Sequence, residues 1–223
     1  MALAALTPPE SPTVIFYRGA AAPDTTLTEA DVPAAVVRDA RVLWISQGSL
    51  AQGSTAQTCL AWMGMRSREH HTILDLDYRP SLWPNEDSAR AMAETAIARA
   101  TIVVGNREEC RIAVGTDDPD DAADRLLDAG VRLAIVKMGA DGVLLATASE
   151  RVRIPALPIT VVCGLGAGDA FGGALCHGLL NGWALDRIGT TANAAGALVS
   201  TQLTCADAMP TVAELDEMME RVA

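Results

Sequence analysis

The stretch Ile159-Thr-Val-Val-Cys-Gly-Leu-Gly-Ala-Gly-Asp-Ala-Phe-Gly-Gly-Ala-Leu175 decides how this chain is read. Its apolar opening predicts a strand, and Gly164, Gly166 and Gly168 predict a tight turn. Phe171, Leu175 and Leu179 then fall on one face of a following helix. Glycines let the backbone turn sharply and aim several N–H groups at one point. With the positive end of a helix behind them, those donors make an anion site. Asp169 lies at its edge, where a carboxylate can take the proton of an attacking hydroxyl. A helix cap after a glycine turn would use the same residues, so the loop alone leaves both readings open. Two other phosphate loops are excluded. A Walker A loop needs a Gly-Lys pair, which the chain does not contain. The dinucleotide pattern Gly-x-Gly-x-x-Gly fails because its sixth position is Asp169 counted from Gly164 and Phe171 counted from Gly166.

Upstream, short apolar runs alternate with helical spacing. Arg41–Ser46, Thr72–Leu76, Thr101–Gly105 and Arg132–Met138 are rich in Val, Ile and Leu and predict buried strands. Ser54–Arg66 and Ser88–Ala98 predict helices, as does Pro119–Ala129, which has aspartates in its first turn and Gly130 to close it. This alternation predicts an α/β fold around a mostly parallel sheet. Beyond Lys137, Val143–Ala146 and Val152–Ile154 are separated by few residues and predict an antiparallel meander. From Ala167 the pattern is mostly helical, broken at Gly182, with Thr211 opening the last helix. Residues 1–12, with Pro8, Pro9 and Pro12, predict a disordered leader, and 13–223 a single domain.

Composition narrows the function. The 223 residues are 50% hydrophobic but only 4% aromatic, which predicts an aliphatic core. A formal net charge of −11, with no basic run to offset it, argues against nucleic acid and anionic membrane as partners. Five scattered cysteines without a Cys-x-x-Cys spacing give no disulfide framework or zinc site, which suits a reducing, cytoplasmic compartment. No signal peptide or membrane-length apolar run is visible, and a homodimer is left open. His70 and His71 read as solvated, His177 as packing, and Trp44, Trp62, Trp83 and Trp183 as core or interface.

The run from Val161 to Leu175, continued through Cys176-His177-Gly178-Leu179-Leu180, resembles the C-terminal signature of the ribokinase-like (phosphofructokinase B-type) sugar kinases. Within that family it is most similar to the kinases of 5-dehydro-2-deoxygluconate in inositol catabolism. The resemblance implies a ribokinase-like layered α/β/α fold and transfer of the γ-phosphoryl of ATP, with Mg2+, to a hydroxyl of an acid sugar. A 2-keto-3-deoxygluconate or other hexose kinase is the second reading, and a non-catalytic nucleotide-binding fragment the third. By the same resemblance Asp169 is the catalytic base, and the backbone of Gly166, Ala167 and Gly168 stabilises the transferred phosphoryl.

Other marks follow in the family's order. Asn106-Arg-Glu-Glu109 resembles the Asn-x-x-Glu motif that organises magnesium and phosphate, which implies Asn106 for the nucleotide and Glu109 for the metal. As a bare pattern it is also a routine helix start. Lys137-Met-Gly139-Ala-Asp-Gly142 resembles the nucleotide-binding turn, with Lys137 reaching a phosphate and Gly139 and Gly142 letting the backbone approach; a hairpin turn reads the same. Asn193 falls where the family places helix residues near adenine, or on the surface. Asp75-Leu-Asp-Tyr-Arg79 and Phe16-Tyr17-Arg18 resemble the family's substrate-side elements and imply Tyr17, Arg18, Asp75 and Arg79 for the sugar. An Arg fork suits a carboxylate, although either Arg alone also suits a surface salt bridge. Thr204-Cys-Ala-Asp-Ala-Met-Pro-Thr211 resembles the closing segment.

The chain departs from the family in two places. Cys163 stands where many relatives carry an aspartate of a monovalent-cation loop, and a thiol cannot replace a hard oxygen ligand. No Gly-Gly…Asn sugar motif precedes Phe16, so the resemblance covers nearly all of this chain but the later two-thirds of a family member. The lid strands are expected to be largely missing.

Overall fold

The structure, a computed structural model, describes residues 2–10, 12–17 and 22–222. Met1–Tyr17, Gly139–Val143 and Val152–Ala223 make one compact unit, and Arg18–Met138 with Leu144–Arg151 make a second. In chain order the elements are β1 (Ala2–Ala5), β2 (Thr13–Phe16), α1 (Ala34–Asp39), β3 (Val42–Ser46), α2 (Gly53–Gly64), β4 (His71–Asp75), α3 (Glu86–Ile97) and β5 (Ile102–Asn106). There follow α4 (Arg107–Val114), α5 (Pro119–Asp128), β6 (Leu133–Lys137), β7 (Val143–Ala146), β8 (Arg151–Ile154), α6 (Ala167–Leu180), α7 (Leu185–Ser200) and α8 (Val212–Val222).

Strands β3 to β8 form one sheet in sequence order. The first four are parallel, in a register that aligns Ser46 with Asp75 and Asn106 with Lys137. The links from β6 to β7 and from β7 to β8 are too short for a crossover, so these strands run antiparallel to their neighbours. Leu74, Leu76, Val103 and Val136 pack with Met63 and Leu126 on one face. Ile73, Val104 and Ile135, which alternate with them, are just as buried, so both faces are covered. Burying each of these side chains contributes about 1.5–3 kcal/mol.

Local chemistry sets the helix ends. Asn85 Oδ1 accepts from Ser88 N at α3, Asp118 accepts from Asp120 N and Asp121 N at α5, and Thr211 exchanges bonds with Glu214 at α8. The buried Arg66 guanidinium collects the carbonyls of Val37, Ala40 and His71 and the hydroxyl of Thr72, tying the end of α2 to the end of α1 and the start of β4.

Three regions differ from the expectation. Within the leader, Ala2–Ala5 pair antiparallel with Thr13–Phe16 from Ala2↔Phe16 to Ala5↔Thr13. Residues 155–163 form no strand; instead Val162 N and Cys163 N both donate to Ser200 O. His71 is half-buried rather than solvated, with Nδ1 enclosed and its pKa lowered by burial.

Candidate active site

In the second unit, the carboxyl ends of the parallel strands bring together Asp75, Asn106, Glu109 and Lys137, which the sequence reading had placed on three separate motifs. Open α/β sheets bind ligands at this edge. Asn106 caps α4: its Oδ1 accepts from Glu109 N at 2.9 Å, and Glu109 Oε2 accepts from Asn106 N at 2.6 Å. The helix-start reading of Asn106-Arg-Glu-Glu109 is therefore correct as local structure, and it leaves Glu109 with a second carboxylate oxygen. Burial lifts the Glu109 pKa above the usual glutamate value; Lys137 and the Asn106 N–H pull it down, and Asp75 and Asp77 push it up.

Lys137 is the chain's single lysine. Its Nζ lies 3.9 Å from Asp75 Oδ1, and its side chain is 24% exposed. Burial alone would lower its pKa, but Asp75, Glu109 and Asp77 together carry it above the ordinary lysine value. Three carboxylates thus surround one ammonium, and Arg79 lies against one of them, Asp77. A magnesium ion borne by a nucleotide needs only one or two protein carboxylates, its other ligands being phosphate and water. The Glu109 carboxylate, with Asp75 and Asp77 close enough to shift its pKa, fits that requirement. Among the described residues there is no three-ligand cage for a protein-bound metal.

Arg79 is paired within its own motif. Its guanidinium lies 2.6 Å from Asp77 Oδ1, and Asp77 Oδ2 also accepts from Ser46 Oγ at 3.1 Å. Asp77 was not singled out from the sequence, although the alternation Asp75-Leu-Asp77 signals two carboxylates on one side of an extended segment. Tyr17 follows β2 and is mostly exposed. Arg18, its neighbour in the same expectation, lies outside the described residues.

The first unit holds the glycine loop. Gly166 is the N-cap of α6 with φ 89°, a left-handed conformation that favours glycine, and a Cβ there would also sit 2.7 Å from Cys205 Cβ. No side chain caps α6, as none caps α1, α2 or α7; Ala167 N donates to Gly164 O at 3.3 Å, and a helix start without a side-chain cap is a place where an anion can bind. Asp169 is the third residue of this helix.

Gly139 and Gly142 form the turn after Lys137, with φ 61° and 90°. Gly139 has open space where a Cβ would be, which leaves its backbone approachable. A Cβ on Gly142 would meet Ile154 O at 1.9 Å, so that glycine serves packing against the end of β8. Asn193 on α7 donates from Nδ2 to Pro155 O at 3.0 Å.

A cavity of about 540 Å³ missed by the sequence reading runs from Asp169 along α6, α7 and α8 past Gly173, His177, Arg187 and Leu215. At its far end Trp183 meets His177 edge-on at 5.1 Å and carries the Arg187 guanidinium 3.8 Å above its ring. No motif marks this groove, because it is made by three helices crossing.

Known proteins share this architecture. The crystal structure of a PfkB protein from Polaromonas sp. JS666 superposes with a TM-score of 0.79 at 24% identity, over 92% of this chain and 66% of that one. Aminoimidazole riboside kinase from Salmonella enterica, solved with aminoimidazole riboside and an ATP analog, gives 0.73 at 26% identity, over 93% of this chain and 70% of the other. The 5-dehydro-2-deoxygluconokinase of Geobacillus thermodenitrificans is 27% identical over 228 aligned residues, covering 98% of this chain and 67% of its own length. The chain thus spans about two thirds of the curated relatives it matches. The fold is ribokinase-like, and among the described residues no helix is long and apolar enough to cross a membrane. Residues 1–212 match the pfkB family carbohydrate kinase domain, and with the glycine loop, the uncapped helix behind it and the strand-end carboxylates in place, this chain belongs to the pfkB family of carbohydrate kinases.

Proposed function

We propose that this chain transfers the γ-phosphoryl group of ATP, with Mg2+, to a hydroxyl of an acid sugar, and that the sugar is 5-dehydro-2-deoxygluconate. The observation that carries the reading is Asp169 on the first turn of a helix without a side-chain cap, behind a left-handed glycine and at the mouth of an open groove. In this reading Asp169 takes the proton of the attacking hydroxyl, and the N–H groups around Gly166, Ala167 and Gly168 stabilise charge on the transferred group. Lys137 and Asn106 serve the phosphates, Glu109 the magnesium, and Gly139, Gly142 and Asn193 the nucleotide. Magnesium, when bound, neutralises charge on the β- and γ-phosphates.

Tyr17, Arg18, Asp75 and Arg79 are assigned to the sugar, with the acid end going to the arginines. The name shared by the curated relatives supports this substrate. The Asp77–Arg79 pair tempers it, since an arriving carboxylate competes with Asp77 for Arg79. The exposed cross-strand pair Leu3 and Ile15 supports a homodimer, which light scattering would measure.

A coupled assay with 5-dehydro-2-deoxygluconate, 2-keto-3-deoxygluconate and neutral hexoses, alongside calorimetry with ADP and magnesium, tests the function. Preferred turnover of the first sugar is expected. Equal use of neutral sugars would overturn the acid-sugar assignment. Nucleotide binding without turnover of any sugar would favour a non-catalytic nucleotide-binding chain.

A further inference from the structure

We propose that Pro9 and Glu10, in the connection between β1 and β2, are positioning residues that fix the catalytic loop from one side; this rests on the function assigned to that loop above. Gly164 N donates to Pro9 O at 2.7 Å. A Cβ at Gly164 would lie 2.7 Å from Glu10 O, closer than a Cβ comes to backbone, and tightly at 3.2 Å from the Glu10 carbonyl carbon and 3.3 Å from Pro9 O. Gly164 is not among the residues with positive φ, so no turn geometry requires glycine there. The neighbouring strap does.

The loop is held from the other side as well. Ser200 O accepts from both Val162 N at 2.8 Å and Cys163 N at 3.1 Å, Gly166 backs onto Cys205, and a Cβ at Gly196 would stand 3.1 Å from Ala167 O. The loop that leads into Asp169 is thus gripped between the α7 end and the strap. The strap is itself closed at its base by the Ala5↔Thr13 pair. Every hold named here is a backbone hydrogen bond or a close approach permitted by a missing Cβ. None depends on side-chain chemistry at Pro9 or Glu10. The strap therefore acts on the reaction through the loop, by limiting how far the N–H donors and Asp169 stray from the phosphoryl group. A misplacement of about 1 Å in such a constellation costs on the order of 10²-fold in rate.

The test compares Gly164→Ala, Pro9→Gly and the double variant with the parent in the full chain, by amide hydrogen exchange, ADP–magnesium titration and kinase kinetics. Gly164→Ala should speed exchange at residue 164 by about tenfold or more, as the bond to Pro9 O is lost. It should lower kcat by roughly 10–100-fold while leaving KM for sugar and nucleotide, and ADP affinity, within about threefold. Pro9→Gly loosens the strap without removing its carbonyl. In that background the added alanine should cost less than about half as much on a logarithmic scale, because contacting residues couple. Unchanged protection at residue 164, or an equal cost in both backgrounds, would overturn the proposal. If Gly164→Ala does not fold, Pro9→Gly alone decides: faster exchange at Gly164 with Ala194–Val199 unchanged supports the strap, and unchanged exchange at Gly164 refutes it. A parent that phosphorylates no sugar counts against the function, while the exchange data still decide the strap.

Discussion

The strand-end cluster of one unit and the glycine loop of the other are held by opposite means. At the strand ends, Asn106, Glu109, Asp75 and Lys137 fix one another through side-chain hydrogen bonds and charge. Around Asp169, the glycine loop is fixed by backbone bonds to Ser200 and Pro9 and by close approaches that only a missing Cβ permits. The first arrangement ties stability, charge state and ligand binding together, so one substitution moves all three. The second leaves Asp169 outside the network that holds its loop, so its chemistry can be removed while the fold stands.

Asp169→Asn is the strongest way to break this contrast. It keeps the shape and removes proton acceptance, and should lower turnover by about 10²–10⁴-fold in a coupled kinase assay. The midpoint of urea unfolding and the affinity for ADP–magnesium should stay near the parent's. A large fall in stability would show that Asp169 belongs to the structural network after all.

Lys137→Met should act the other way. It leaves Asp75 and Glu109 without their ammonium, Asp77 keeping only Arg79, and should cost about 3 kcal/mol in chemical denaturation as well as weakening ATP binding. A variant as stable as the parent would dissolve the distinction between the two regions.

Glu109→Gln sharpens it through pH. Folding raises the Glu109 pKa, so the folded state keeps a proton that the unfolded chain has released. That contribution is present at acid pH and is lost as pH rises from the ordinary glutamate value through the raised one. The variant should escape this loss and gain stability relative to the parent as pH rises above the ordinary glutamate value of about 4.3. Its affinity for the magnesium–nucleotide complex should fall about tenfold, read by calorimetry with and without the metal. A parallel pH profile in parent and variant would remove Glu109 as the titrating group.

The smallest effect is expected from Asn193→Ala. Loss of the bond to Pro155 O should cost about 1 kcal/mol of stability. If ADP affinity falls as well, Asn193 serves the nucleotide; if only stability falls, its bond to Pro155 is its whole role.

Much of this was legible in the chain because it is local. Val143–Ala146 was bounded to the residue from its apolar run, and Pro119 and Gly130 bracketed α5 because a helix start tolerates proline and its end favours a left-handed glycine. The region before Gly164 was misjudged: Val161 and Val162 read as strand, yet their segment bonds to the end of α7 and not to a strand. The β1–β2 ribbon was missed because prolines around it masked a pairing that only its partner strand reveals.

By itself the sequence determined the alternation of strands and helices from Arg41 to Ile154, the tight turn around Gly166 and the identity of the family, since periodicity, turn preference and motif spacing are properties of neighbouring residues. Only the tertiary structure decided that Lys137 sits among three carboxylates and that Gly164 must lack a side chain because Glu10 lies against it. Each depends on groups brought together by folding and, for Gly164 and Glu10, separated by more than half the chain; distances of that kind are set by packing and have no local signature.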